Sequence, residues 1–168
     1  GTDKDNAMID TSNPQNQAFW KQVCQDLDLP ADTPCWTSGF AEPGQGPHDA
    51  TKYDCIAALA FYEYKKGTCH QKAQFEHDNV PLRKVGDYWL VTTGAGAPVC
   101  VVRITNIDIK PFNEVSETFA LSEGEGDFTA WTDGHRGYFE GQCKRWGTEF
   151  RPDTLAVCES FELVYRPR

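Results

Sequence analysis

Positive charge is what this chain is short of: 16 Lys and Arg stand against 25 Asp and Glu, for a net charge of −9. That balance excludes a protein that coats a long polyanion, because each phosphate neutralised needs a cation on the protein. Contact with nucleic acid must therefore be local. Long apolar runs are missing too. The longest, Cys55 to Tyr62, falls far below the roughly 20 residues of a membrane-spanning helix, so no membrane span is expected. The seven cysteines, at 24, 35, 55, 69, 100, 143 and 158, form no CxxC pair, which argues against a zinc ribbon or a thioredoxin-type site. His48, His70 and His77 show no metal-ligand spacing among themselves. Neither a repeat nor a low-complexity tract is present.

What is there suits a globular chain. A hydrophobic content of 39% with five Trp and ten Phe argues against disorder, and 168 residues make one domain with a proper core. Residues 1–14 read as a flexible N-terminal arm and 15–168 as the domain. Asn13-Pro14 reads as N-cap and first helical residue, followed by a stripe of Ala18, Phe19, Gln22, Val23 and Leu27 that predicts a helix over 15–28. Leu29 to His48 is rich in Pro and Gly and predicts no element, with Trp36 and Phe40 pinning it to the body. Asp49 or Thr51 caps a second predicted helix, over 50–65, with apolar positions Ile56, Leu59 and Ala60. Its end at Lys65-Lys66-Gly67 matches the preference of helix C-termini for cations and glycine.

Strands are predicted over Cys69–Phe75, Tyr88–Thr93, Val99–Ile109 and Ala156–Tyr165, with Val99–Ile109 the most central because it is long and β-branched. Pro111 opens a short helix through Phe119. Thr129 to Trp146 reads as helical despite Gly134, Gly137 and Gly141, each of which costs about 1 kcal/mol against Ala.

Chemistry concentrates between Leu121 and Phe139. Glu123-Gly124-Glu125-Gly126-Asp127 sets three carboxylates within five residues, and in an extended segment alternate side chains share one side. Trp131 and His135 follow at a spacing that places them on one helical face. The plainer account is a solvated acidic loop and a helix cap, with His135 structural. The charge distribution favours a cleft: Glu63–Lys84 holds five basic and three acidic residues, while Pro111–Asp133 holds six acidic and none basic. Oxygen ligands at Glu123, Glu125 and Asp127 suit Mg²⁺, yet clustered carboxylates are more commonly solvated or paired with cations. No metal and no cofactor are expected.

The acidic glycine-spaced signature, with its Trp and the His four residues on, resembles the ASCH domain (activating signal cointegrator homology) of the PUA-like superfamily. Lys84-Val85-Gly86-Asp87-Tyr88, Pro98-Val99-Cys100-Val101-Val102, Pro111-Phe112-Asn113-Glu114-Val115 and Val157-Cys158-Glu159-Ser160-Phe161 follow in the order such proteins show. The resemblance runs from about Phe19 to Tyr165. It implies an α+β fold, a small mixed β-barrel with flanking helices, and a cleft for RNA or a nucleotide-like small molecule, in a monomer or dimer.

Lys65-Lys66-Gly67-Thr68 stands where the family carries a Lys and, three residues on, a Thr that project into the cleft, although the flanking Gly and Ala are replaced by Glu63 and Gly67. The resemblance thus implies Lys65, Thr68 and Thr129 as catalytic candidates and Glu123, Glu125, Asp127, Trp131 and His135 as ligand-binding ones, and charge adds Arg103 as a ligand-binding partner for a phosphate or for Glu125. Tyr88 and Trp89 are further candidates for stacking on a base. Three functional classes follow. The first is a module binding RNA or a modified nucleoside or nucleotide between the Lys65–Thr68 segment and the acidic loop. The second is a small hydrolase, a ribonuclease or an amidohydrolase of acylated nucleosides, using Lys65 with Thr68 or Thr129. The third is a secreted interaction domain without catalysis. Asn106 stands where relatives often have Glu, and an amide cannot serve as a carboxylate base.

Cys100, Cys143 and Cys158 match positions where such proteins also carry cysteine, whereas Cys24, Cys35 and Cys55 look like additions. Added cysteines suggest an oxidising compartment. Together with the absence of an initiating Met and the polar leader, they lean toward a secreted or cell-envelope protein, with a cytoplasmic one as the alternative. At least one disulfide between two of Cys24, Cys35 and Cys55 is expected, with Cys100 and Cys158 reduced.

Overall fold

The computed structural model describes residues 13–40 and 50–168; the predicted arm, as far as residue 12, and the segment around His48 lie outside the described residues. Asn13 accepts the Asn16 amide and Pro14 occupies the first turn, so helix α1 runs Pro14–Asp26. Strand β1, Cys35–Ser38, follows. Helix α2 spans Ala50–Phe61, strand β2 Gly67–Gln71 and the short helix α3 Lys72–Asp78. Strand β3 is Tyr88–Thr92 and β4 is Pro98–Pro111. After a 3-10 turn at Phe112–Glu114 come α4, Glu117–Ser122, α5, Phe128–Trp146, and β5, Leu155–Tyr165.

The fold is α+β, a five-stranded mixed sheet in the order β1-β3-β4-β5-β2. Strand β4 is the middle one, antiparallel to β3 and β5. β1 joins β3 in parallel and β2 joins β5 antiparallel. The described strands leave β1 and β2 as edges, so the sheet is open where a closed barrel was expected.

Alternation along the strands sends side chains to both faces, and each face has its own cover. Trp89, Val91, Cys100, Val102 and Phe161 pack with Ala57 and Ala60 of α2. Leu90 and Val101 turn the other way, onto Trp20, Val23 and Cys24 of α1. At the β2 end, Cys69, Ala156 and Cys158 pack against Ala120 of α4 and Trp131 and Phe139 of α5.

Three local expectations are corrected. The stretch after Leu29 contains β1, because Cys35 and Trp36 are both buried and pair with Tyr88 and Trp89; tertiary pairing makes a strand where local composition is turn-like. The strand predicted over Cys69–Phe75 stops at Gln71, and Lys72–Asp78 turns into α3. Helix α2 ends at Phe61, not at Lys65. Glu63 takes a left-handed φ of 65°, and the amides of Tyr64 and Lys65 both fold back onto the Leu59 carbonyl. Gly67 is therefore a strand residue and not a helix cap.

The cysteine expectation also fails: all seven are free thiols. Cys24 and Cys35 are buried in the core under α1, whereas Cys55 is exposed on α2. Burial pushes the Cys35 thiol up to about 12. With no bridge, the argument from cysteine for a secreted protein loses its support. No helix among the described residues is long and apolar enough to cross a membrane.

Candidate functional site

Lys65 organises the site. It leaves the turn after α2 pointing inward and is 2% exposed. Its Nζ lies 2.9 Å from Glu123 Oε1 and 2.7 Å from Glu125 Oε2, with the Phe40 ring 4.9 Å away. Burial works against the ammonium, but the two carboxylates outweigh it and hold the Lys65 pKa above the ordinary lysine value. The backbone supports this arrangement. Lys66 N–H donates to the Ser122 carbonyl at 2.7 Å, and the Lys66 carbonyl accepts from Phe161 N–H at 3.0 Å, sewing the segment between the acidic loop and β5. Gly124, with φ +71°, lies so close that an added Cβ would meet the Tyr64 carbonyl oxygen at 2.4 Å. No other residue fits that crossing.

Glu123 is the hub of the loop. It is 1% exposed and also accepts from the Trp131 indole N–H. His135 stacks on Trp131 at 4.2 Å between ring centroids, donates from Nδ1 to the Trp131 carbonyl at 3.0 Å and brings Nε2 to 3.4 Å from Glu123 Oε2. These groups line a cleft of about 400 Å³, together with Thr68, Cys69 and His70 from β2, and with Tyr53 and Ile56 of α2, Lys52 at the rim and Tyr138 of α5. The cleft is thus a charged floor between aromatic walls. The Cys69 thiol on that floor is held well above the ordinary thiol pKa, first by its hydrogen bond with Cys158 and then by burial and Glu123. Among the described residues no group of three or more His, Cys, Asp or Glu is arranged to hold a metal ion.

Of the residues singled out from sequence, Lys65, Thr68, Glu123, Glu125, Trp131 and His135 come together here. Asp127, Thr129 and Arg103 do not line the cleft. Asp127 is exposed and caps α5, its Oδ1 accepting the Ala130 amide at 2.8 Å. Thr129 follows it on the exposed first turn. Arg103 is exposed on β4, its Nε donating to the Gly86 carbonyl at 3.1 Å and its guanidinium lying 5.0 Å from the Tyr88 ring. Asn106 is exposed on the same strand, with Nδ2 3.4 Å from Asp108 Oδ2. Trp89 is a core residue, 1% exposed, and Tyr88 packs on Trp20.

Sequence reasoning missed what stands behind the cleft. Arg83 grips Glu159 with Nε at 3.1 and 3.2 Å from its two oxygens and Nη2 at 3.0 Å from Oε2. Glu159 is wholly buried, and the guanidinium lies 4.1 Å from the Trp89 ring. His70 touches this pair, 3.5 Å from Arg83, and reaches the cleft. The one available signal was Glu159 itself, a carboxylate at an inward position of an apolar strand.

An open mixed sheet clothed by helices on both faces, with a cleft between a buried Lys and a glycine-spaced acidic loop, defines the class as PUA-like. The comparisons with known proteins give the family. The family model of the ASCH domain matches residues 46–165, and the chain belongs to that family. Among solved structures, the ASCH domain from Lactobacillus crispatus is 28% identical, with a TM-score of 0.80 over 95% of this chain and 99% of that one. A protein from Enterococcus faecalis is 26% identical, with a TM-score of 0.77 over 89% of this chain and 88% of that one. No functionally curated protein matches the chain.

Proposed function

We propose that this ASCH domain binds a single nucleoside-sized unit, free or as part of single-stranded RNA, in the cleft between the Lys65–Thr68 segment and the acidic loop. One observation carries the reading: buried, mutually paired polar groups and stacked aromatic rings converge on a cavity of about 400 Å³. That volume falls in the range of pockets that enclose small ligands. A heterocycle has both an apolar face for aromatic walls and a polar edge for Glu125, whose side chain is 28% exposed. The net charge of −9 speaks against a long duplex and in favour of a ligand read one unit at a time.

Hydrolysis with Lys65 as general base has the geometry against it. A base must be able to take up a proton, and the ammonium between Glu123 and Glu125 is held protonated. Binding is therefore the function the cleft supports best. Thermal shift with the four ribonucleosides, their monophosphates and short single-stranded RNA tests it. A ligand at 100 times its Kd should stabilise the fold by about 2.7 kcal/mol. No shift with any of them would reject the proposal.

A further inference from the structure

His70 is a cleft histidine whose tautomer is dictated from behind the cleft. Nε2 of His70 lies 3.5 Å from Arg83 Nη2. A guanidinium can only donate, so Nε2 must present its lone pair, and the ring proton belongs on Nδ1. The alternative finds no acceptor. Glu159 Oε2 is 3.8 Å from Nε2, beyond hydrogen-bond reach, and both Glu159 oxygens are already held by Arg83. Arg83 cannot move aside to relax this demand: it is forked onto a wholly buried carboxylate and packed 4.1 Å from Trp89 and 5.6 Å from Trp36. Phe75 meets the imidazole edge-on at 5.7 Å, which limits rotation of the ring.

The other ring nitrogen is free. Among the described residues Nδ1 of His70 has no hydrogen-bond partner, and the one fully buried side-chain N or O atom left unpartnered there is Asn16 Oδ1. Nδ1 is therefore open, in a residue that lines the cleft. Thr68, two residues earlier on β2 and so on the same side of the strand, likewise lines the cleft with a hydroxyl that has no partner among the described residues. Polar groups this enclosed are normally satisfied, and an unmade hydrogen bond in a cleft is capacity for a ligand.

We infer that His70 is a specificity-determining residue of the cleft, locked by Arg83 as the Nδ1–H tautomer and donating that hydrogen to an acceptor oxygen of the ligand, the carbonyl of a heterocyclic ring. The inference rests on the proposed nucleoside-sized ligand and sharpens it: the edge facing β2 carries a carbonyl acceptor and not an amino donor. Burial, with Arg83 and Lys65 adding to it, lowers the His70 pKa to about 3, which agrees with a ring that stays neutral as a donor. Arg83 and Glu159 act as positioning residues through His70 and touch no ligand themselves.

Two measurements test this. Long-range ¹H–¹⁵N correlation spectra of the full chain at neutral pH should show a neutral His70 protonated at Nδ1, and an Nε2–H tautomer or an imidazolium would overturn the inference without reference to any ligand. Calorimetric titration with uridine, whose ring carries carbonyl acceptors, then compares wild type, His70→Phe and His70→Asn. Phe keeps the packing and loses the donor, whereas Asn places an amide N–H close to the position of Nδ1. The expected result is a loss of about tenfold or more in affinity for His70→Phe and retention within a few-fold for His70→Asn. If wild type binds none of the ribonucleosides, their monophosphates or short single-stranded RNA, the proposed function falls and the inference with it. If wild type binds and His70→Phe binds equally well, or if both variants are equally weak, the inference alone is overturned.

Discussion

Two buried ionic groups sit on either side of β2, and they are built on opposite plans. On the cleft side a single ammonium, Lys65, is shared between the carboxylates of Glu123 and Glu125. On the far side a single carboxylate, Glu159, is gripped at both oxygens by the fork of Arg83 and roofed by Trp89. The first has more acceptor capacity than its one cation can fill, and Glu125 keeps part of its side chain in the opening. The second is matched in charge and geometry, with its carboxylate wholly buried and its guanidinium side chain 10% exposed. A planar fork suits permanent pairing, while a lysine is a point charge that several groups can share. The contrast separates a group that holds the wall from a group that the wall presents.

The largest effect should come from breaking the closed pair. Glu159→Leu or Arg83→Met alone leaves the partner charge buried and unpaired, which costs about 3–5 kcal/mol. The double variant should recover most of that loss, because replacing a whole buried pair with apolar side chains is near neutral. Urea denaturation of the four proteins decides it, and simple additivity would show that the pair is not coupled.

Next comes the shared ammonium. From sequence Lys65 reads as a helix-terminus residue, but its burial gives it a part in the fold. Lys65→Met should destabilise by about 3 kcal/mol, and adding Glu123→Gln should restore part of it. Because the folded-state pKa of Lys65 is raised, its contribution is fully present below the ordinary lysine pKa of about 10.4 and is lost as pH rises through the folded value. Denaturation midpoints at neutral and at strongly alkaline pH should therefore show the gap to Lys65→Met narrowing only at the alkaline end.

A pH-dependent effect sits between the two groups. His70 has a pKa of about 3 in the fold against 6.5 ordinarily, so over that window the unfolded chain binds more protons. Stability must then fall as pH falls from 6.5 toward 3, by about 1.4 kcal/mol per pH unit at most. His70→Phe should flatten this acid limb, and an unchanged slope between pH 6 and pH 4 would show that the ring is not held neutral. The smallest effect tests the boundary of the cleft. Asp127→Ala removes the N-cap of α5 and should cost about 1 kcal/mol. Ligand affinity should not change, because Asp127 lines no part of the cavity.

Periodicity read from sequence located α1, the central β4 and the long α5, since each has enough local pattern to specify itself. It failed at β1, a strand only because Cys35 and Trp36 find Tyr88 and Trp89 beside them. The acidic signature pointed to Glu123, Glu125, Trp131 and His135, residues that one loop and one helix bring together. It overreached to Asp127 and Thr129, which are exposed at the start of α5 and line no part of the cleft. Arg103 was drawn in on charge alone, and its guanidinium packs on Tyr88 instead.

By itself, the sequence determined the class of fold and the family, because glycine spacing, capping residues and apolar periods are local properties that every copy of the chain carries even when unfolded. It also determined that cation and carboxylate segments had to meet, since six acidic residues from Pro111 to Asp133 have no local cation. Only the tertiary structure decided which of them meet. Lys65 turns inward because Glu63 reverses the chain and Gly124 admits the Tyr64 carbonyl. Arg83, in the segment between α3 and β3, and Glu159, on β5, stand 76 residues apart in sequence and meet only in the fold. No local pattern encodes such a contact: its free energy exists only once both partners are desolvated together.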